Sequence, residues 1–162
     1  MFRQWIDLLT YFNSNQGKIE IDIDDKNLSK AAVSKYVIYT TNTDSYSPVG
    51  HIKDLIDLAN VNGYDFFIFT DKKIKNINEC NQILFNYISP NPRYAAKIFK
   101  IRPDIFFKNG EISLWIDANV SFNKNLFNKI NSFKESDAEI FLFNHDKRMN
   151  IFQEAEECKK NL

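Results

Sequence analysis

An acidic residue and an amide, in Asp117-Ala118-Asn119, stand at the end of a short apolar run. Ile112 to Ile116 follows a turn signal at Asn109-Gly110, so the run predicts a buried strand. An Asp-x-Asp at the carboxyl end of such a strand can hold a divalent metal against a diphosphate, because these cations prefer carboxylate oxygens. Here Asn119 takes the second position and offers an oxygen without a charge. The alternative is an ordinary turn, since Asp and Asn both favour turns.

Polar side chains also follow the other predicted strands. Because the carboxyl ends of parallel strands lie along one edge of a sheet, these side chains are expected to converge on one crevice. Their carboxylate, amide and imidazole groups are suitable ligands for a metal ion. In chain order they are Thr40 and Thr41, Thr70 and Asp71, Asp117 and Asn119, and Asn144 and His145.

Three basic residues, Arg93, Lys97 and Lys100, recur at helical spacing and would share one face of a helix. Cations on such a face can bind phosphate oxygens through charge-assisted hydrogen bonds. The alternative is a solvated helix surface with no ligand.

The composition predicts a soluble, cytoplasmic protein. A chain of 162 residues is long enough for one domain with its own core. Basic and acidic residues balance at 21 each, so the net charge gives no reason to expect a nucleic-acid partner. No window is apolar enough to span a membrane, and we expect at most a peripheral contact with one. Cys80 and Cys158 have no metal-ligand spacing and are interpreted as free thiols in a reducing compartment.

The elements that must position these residues follow from hydrophobic periodicity. An amphipathic helix over residues 2–13 and a polar linker to Lys30 precede one domain over residues 31–162. Alternating strands and helices with continuously apolar strands predict a mainly parallel sheet with helices on both faces. The predicted strands are 35–41, 64–71, 112–117 and 138–144, and the predicted helices are 51–60, 93–107 with a break near Arg102, 123–133 and 151–160; residues 76–92 are either a short edge strand or a loop.

The order of several weak motifs resembles one protein family. These motifs are Tyr64-Asp-Phe-Phe-Ile-Phe-Thr-Asp71, Asn91-Pro-Arg-Tyr-Ala-Ala-Lys97, Leu114-Trp-Ile-Asp-Ala-Asn119 and the His145 to Glu156 segment. Together they resemble the glycosyltransferase-like domain family of plant and bacterial polysaccharide-assembly proteins, formerly a domain of unknown function. The resemblance covers about residues 36–160. It implies a nucleotide-sugar-binding fold of the GT-A type, which is Rossmann-like, or a truncated version of it.

The resemblance also implies roles for individual residues, by position. A nucleotide sugar would lie along the sheet edge, with Mn²⁺ or Mg²⁺ at its diphosphate, and the sugar would pass to a glycan or glycoconjugate hydroxyl. The implied nucleotide contacts are Tyr39, Thr40, Thr41, Asp44, Asp71, Arg93, Lys97 and Arg148, the implied metal ligands are Asp117, Asn119 and His145, and the implied catalytic residues are Asp117, Lys97 and Glu154.

Two features leave the activity open at this stage. Asn119 replaces the second acid of a strict Asp-x-Asp, and the chain ends shortly after the His145 to Glu156 segment. The sequence therefore predicts a glycosyltransferase of surface polysaccharide assembly, with a non-catalytic nucleotide-sugar-binding or scaffold module as the alternative. A phosphotransferase or hydrolase that uses the same metal edge is a third possibility.

Overall fold

The structure is a computed structural model, and it describes residues 20–23, 28–44, 49–77, 80–88, 92–118, 120 and 125–137. The chain divides into two compact units, Met1–Ser121 and Phe122–Leu162. The secondary-structure elements are β1 (Glu20–Ile23), α1 (Leu28–Val33), β2 (Tyr36–Asn42), α2 (Val49–Val61), β3 (Asp65–Thr70), β4 (Asn81–Ile88), α3 (Pro92–Ile101), a 3-10 helix (Pro103–Ile105), β5 (Ile112–Trp115) and α4 (Leu126–Lys134).

The strands of the first unit form one five-stranded sheet in the order β1-β4-β3-β2-β5. β2 pairs in parallel with β3 on one side and with β5 on the other, and β3 pairs in parallel with β4. β1 is antiparallel to β4. The predicted α/β class with a mainly parallel sheet is confirmed. This arrangement is compatible with a Rossmann-like fold, and the narrower GT-A assignment stays a prediction.

The side chains of β2 and β3 are buried on both faces of the sheet, because helices cover both faces. Tyr39 and Phe69 point into an aromatic core that they share with Phe99 of α3. Their neighbours along the strands, such as Ile68, point to the opposite face and are also fully buried, and there α2 packs along β3. Burial on both faces explains why Asp65–Thr70 is almost continuously apolar in sequence.

The stretch 76–92, whose structure the sequence left open, contains a full strand inside the sheet. β4 lies between β1 and β3 and is therefore not an edge strand. Its first two residues are polar and have structural partners. Asn81 Nδ2 donates to the Phe66 carbonyl at 2.9 Å, and Gln82 Oε1 accepts from the Ile74 amide at 2.8 Å. Polar residues that tie a strand to its neighbours weaken the alternating pattern by which strands are recognised in sequence.

The prediction of a polar linker up to Lys30 is wrong for two segments. Glu20–Ile23 forms β1, and Leu28–Val33 forms α1. Ile21 of β1 is buried against the core, whereas Asp22 is exposed. Asp22 therefore occupies the solvent side of this short strand. The predicted helix over residues 2–13 lies outside the described residues.

The predicted helix 93–107 and its break are confirmed. α3 ends at Ile101, and the 3-10 helix begins at Pro103, because proline cannot continue the hydrogen bonding of an α-helix. Ile101, the last residue of α3, is 61% exposed. Where the structure describes the chain, no helix has the length and apolarity to cross a membrane.

The second unit is described through α4, which confirms a helix near the predicted residues 123–133. Its buried side chains are Leu126, Phe127 and Ile130, at the spacing of one helical face. The predicted strand 138–144 and helix 151–160 lie outside the described residues.

The sheet offers a matched pair of buried threonines that test its hydrogen bonding. Thr40 Oγ1 is buried without a hydrogen-bond partner in the described part of the chain, whereas Thr70 Oγ1 donates to the Lys72 carbonyl at 2.8 Å. Thr40→Val should leave the free energy of unfolding unchanged or raise it by up to about 1 kcal/mol, since it removes an unsatisfied hydroxyl. Thr70→Val should lower it by about 1 kcal/mol. Urea denaturation measures both, and equal losses would mean that Thr40 has a partner.

Candidate functional site

The carboxyl ends of β2, β3 and β5 lie along one edge of the sheet. Asn42 at the end of β2 is opposite Thr70 at the end of β3, and Tyr39 of β2 is opposite Trp115 at the end of β5. Asp71 and Asp117, which follow β3 and β5, are therefore at the same edge, as the sequence predicts.

These two carboxylates occupy separate positions along that edge. β3 and β5 lie on opposite sides of β2, so Asp71 and Asp117 are two strand spacings apart, roughly 10 Å. Their partners also differ, because Asp71 accepts from the Asp44 N–H whereas Asp117 contacts Trp115 and Lys100. The edge therefore carries two polar groups, one around Asp71 and one around Asp117.

The first group fixes the loop that follows β2. The backbone N–H of Asp44 donates to both carboxylate oxygens of Asp71, at 3.1 Å each. Asp44 has a φ of 53°, in the left-handed region that Asp and Asn adopt more readily than most residues. Lys72 Nζ lies 3.3 Å from Asp44 Oδ1. Asp71 thus anchors Asp44, which was predicted to contact a nucleotide.

Tyr87 of β4 lies close to this group. Partial burial raises the pKa of its hydroxyl, and the carboxylates of Asp71 and Asp44 raise that pKa further, while Lys72 lowers it. The phenol therefore stays protonated at neutral pH and can donate a hydrogen bond. Together these residues present carboxylate acceptors, a phenolic donor and a cation, which suit the hydroxyls and N–H groups of a nucleoside.

The second group is built on Asp117. Trp115 Nε1 donates to Asp117 Oδ1 at 2.9 Å, and Lys100 Nζ lies 3.8 Å from Asp117 Oδ2. The same ammonium lies 5.6 Å from the centre of the Trp115 ring, within range of a cation–π contact. Asp117 therefore accepts the hydrogen bond that the N–H of the partly buried Trp115 indole requires. The Asp117 side chain remains 55% exposed.

This group fits a metal ion only in a limited way. No set of three or more His, Cys, Asp or Glu side chains that could hold a metal occurs within the ranges that the structure describes. Mg²⁺ is commonly bound through one or two carboxylates together with substrate phosphates. The half-exposed carboxylate of Asp117 suits a metal that arrives with a diphosphate, and it does not suit a dedicated protein cage.

The structure argues against the predicted roles of Tyr39 and Thr40. Tyr39 is 2% exposed and packs against Phe107 and Trp115 in the aromatic core, and Thr40 is 0% exposed. A ligand at the surface cannot reach either side chain in this structure. The sequence placed them at the strand end, but the strand continues to Asn42.

The remaining predicted site residues are placed as follows. Thr41 is half-buried in β2, and Lys97 is exposed on α3. Arg93 lies in α3, and the structure does not describe its side chain. The residues that lie outside the described ranges are Asn119, His145, Arg148 and Glu154.

Three residues of these groups were not among the predicted site residues. Lys72 and Tyr87 surround Asp71, and Trp115 binds Asp117. Lys72 directly follows Asp71 in the sequence, so it could have been predicted to lie near this carboxylate. The position of Tyr87 carried no such signal, because the sequence left residues 76–92 open between a short edge strand and a loop.

The role of Asp71 as a loop anchor predicts a graded effect of substitution. Asp71→Ala removes both acceptors of the Asp44 N–H and should lower the free energy of unfolding by about 1 kcal/mol. Asp71→Asn keeps a carbonyl oxygen and should cost less. Hydrogen exchange at the Asp44 amide, measured together with urea denaturation, should accelerate in the order parent, Asn, Ala. Equal exchange in all three proteins would contradict the anchoring role.

Comparison with known proteins identifies the family. Residues 81–162, which make up half of the chain, match the family model described as TOD1/MUCI70, glycosyltransferase-like domain. The match begins at the first residue of β4 and includes α3, β5 and the group around Asp117. No curated protein and no solved structure shows a significant match. The chain belongs to the TOD1/MUCI70 family of glycosyltransferase-like domains.

Proposed function

We propose that this chain binds a nucleotide diphosphate sugar and transfers the sugar to a hydroxyl of a glycan or glycoconjugate in surface polysaccharide assembly. The observation that carries the proposal is the half-exposed Asp117 carboxylate at the end of β5, beside the cationic face of α3. Membership of a glycosyltransferase-like family supports the reaction class. The free thiol of Cys80 is in keeping with a cytoplasmic site of action.

In this proposal the two polar groups of the sheet edge bind different parts of the nucleotide sugar. Asp71, Asp44 and Tyr87 lie where base or ribose groups would find hydrogen-bond partners. Asp117 and the lysines of α3 lie where the diphosphate would be neutralised. The separation of roughly 10 Å across two strand spacings is comparable with the length of an extended nucleoside diphosphate.

In the reaction, the protein must stabilise the negative charge that develops on the leaving diphosphate. Mn²⁺ or Mg²⁺ bound at Asp117, with Asn119 as a further proposed ligand, would supply Lewis-acid stabilisation of that charge. Lys97, together with Arg93, would orient the phosphate oxygens through charge-assisted hydrogen bonds. The roles of His145, Arg148 and Glu154 remain those that the family resemblance implies.

A second candidate function is binding without turnover. It is favoured by the single carboxylate of the Asp117 group, because Asn119 contributes no charge where a strict Asp-x-Asp has a second acid. Release of nucleoside diphosphate from a panel of nucleotide sugars, followed with and without added glycan, separates the two functions. Binding without release would support the module that has lost its catalysis.

The role of Asp117 can be tested by a change that keeps its shape. Asp117→Asn retains an oxygen for the Trp115 indole but removes the anionic ligand. Metal-dependent binding of a nucleoside diphosphate should fall about tenfold or more, which corresponds to ~1.4 kcal/mol. Calorimetric titration in the presence of Mn²⁺ measures this change, and the folding stability should be kept.

A matched control for this experiment is Asp104→Asn. Asp104 is also an exposed carboxylate in an ion pair, but its partner is Arg102, two residues earlier in the chain. That variant should bind the nucleotide as the parent does. Equal losses in the two variants, or no loss in Asp117→Asn, would count against a metal site at Asp117.

The exposed face of α3 gives a second test. Lys97→Ala should weaken nucleoside diphosphate binding severalfold while leaving the urea denaturation midpoint nearly unchanged, because an exposed lysine contributes little to folding. Lys53→Ala, on the exposed side of α2, is the matched control. If the nucleotide affinity of Lys97→Ala equals that of the parent, the α3 face is a solvated surface.

A further inference from the structure

Lys100, Trp115 and Asp117 form a closed set of three contacts in this structure. The carboxylate receives the indole N–H at one oxygen and faces the ammonium at the other, and the ammonium lies over the indole ring. Both oxygens of the proposed metal ligand therefore already face a partner. The cation that balances Asp117 belongs to the chain itself.

We propose that Lys100 is the resident counter-ion of Asp117 and that it moves to the diphosphate when the donor and its metal bind. In the unliganded protein, Lys100 neutralises Asp117 and competes with a metal ion for the carboxylate. In the liganded protein, the metal neutralises Asp117, and Lys100 is free to bind phosphate oxygens. This inference deepens the proposed function and rests on it.

The geometry of the ion pair between Lys100 and Asp117 favours an exchange of partners over a permanent contact. The distance of 3.8 Å between Lys100 Nζ and Asp117 Oδ2 exceeds that of a charge-assisted hydrogen bond. The side chains are 50% and 55% exposed, so water screens their attraction. A divalent ion with a diphosphate can therefore displace the ammonium at low cost. The indole N–H, by contrast, holds the carboxylate at 2.9 Å and keeps it oriented.

The position of Lys100 on α3 places its ammonium next to a second lysine with which it can bind phosphate. Lys97 lies three residues earlier on the same helix, so the two lysines are neighbours on its surface. An ammonium is a compact charge with three donors on a flexible stem, and it can change partners without a backbone movement. Lys100 and Lys97 together then present two cations to the phosphate groups beside Asp117.

The proposed exchange predicts that one substitution changes the affinities for Mg²⁺ and for pyrophosphate in opposite directions. Lys100→Met removes the charge and keeps most of the stem. Its affinity for Mg²⁺ alone should rise about two- to fivefold, the range that an exposed ion pair is worth. Its affinity for inorganic pyrophosphate at saturating Mg²⁺ should fall about tenfold. Titration calorimetry on the full chain measures both, and pyrophosphate makes the result independent of base and sugar.

Two variants control for charge and for folding. Lys100→Arg keeps the positive charge and should retain competition with Mg²⁺ and binding of pyrophosphate. Lys35→Met removes another exposed lysine, the partner of Glu111, and should change neither affinity. In a Trp5→Phe background, Trp115 is the only tryptophan, and its emission should respond to Mg²⁺ in the parent more than in Lys100→Met.

The outcomes separate this inference from the proposed function. Unchanged affinities in Lys100→Met, or two affinities that move in the same direction, overturn the exchange. Pyrophosphate binding that needs Asp117 but not Lys100 leaves the proposed function standing and the exchange wrong. Pyrophosphate binding that survives Asp117→Asn, or its absence in the parent, overturns both.

Discussion

The packing of aromatic rings between the sheet and α3 is the interaction on which the rest of the structure depends. Phe69 of β3 stacks on Phe99 of α3 with ring centres 4.2 Å apart, and Tyr39 contacts both Phe107 and Trp115. Large buried rings contribute most to the apolar area of a core and also restrict relative orientation. Because Lys100 directly follows Phe99, the same packing that holds α3 on the sheet places Lys100 beside Asp117.

Much of the sheet could be predicted from sequence because its central strands are apolar on both faces. β2, β3 and α2 form a βαβ unit, and the pattern from residue 35 to residue 71 shows each of them. The shared edge then follows from parallel pairing, since every carboxyl end lies on the same side. The position of Asp117 at that edge could be predicted from the apolar run before it alone.

The errors have a common physical origin in side chains whose partners lie far away in sequence. Gln82 and Asn81 look like loop residues until their partners Ile74 and Phe66 are known. Tyr39 and Thr40 look like strand-end ligand contacts, but both are buried, and the rings that cover Tyr39 belong to Phe107 and Trp115, which a local pattern does not contain. The contact between Lys100 and Asp117 likewise depends on how α3 is docked, which no spacing rule gives.

The pairing of β2 with both neighbours also has a consequence for the order of folding. Its partner β3 is the next strand in the chain, whereas the contact of Lys35 with Glu111, beside β5, spans 76 residues. Closing the longer loop costs only about 1 kcal/mol more, because loop entropy grows with the logarithm of length. Distant pairing slows folding more than it reduces stability. The βαβ unit can therefore form from local contacts, and the Asp117 carboxylate meets Lys100 of α3 only when β5 has docked.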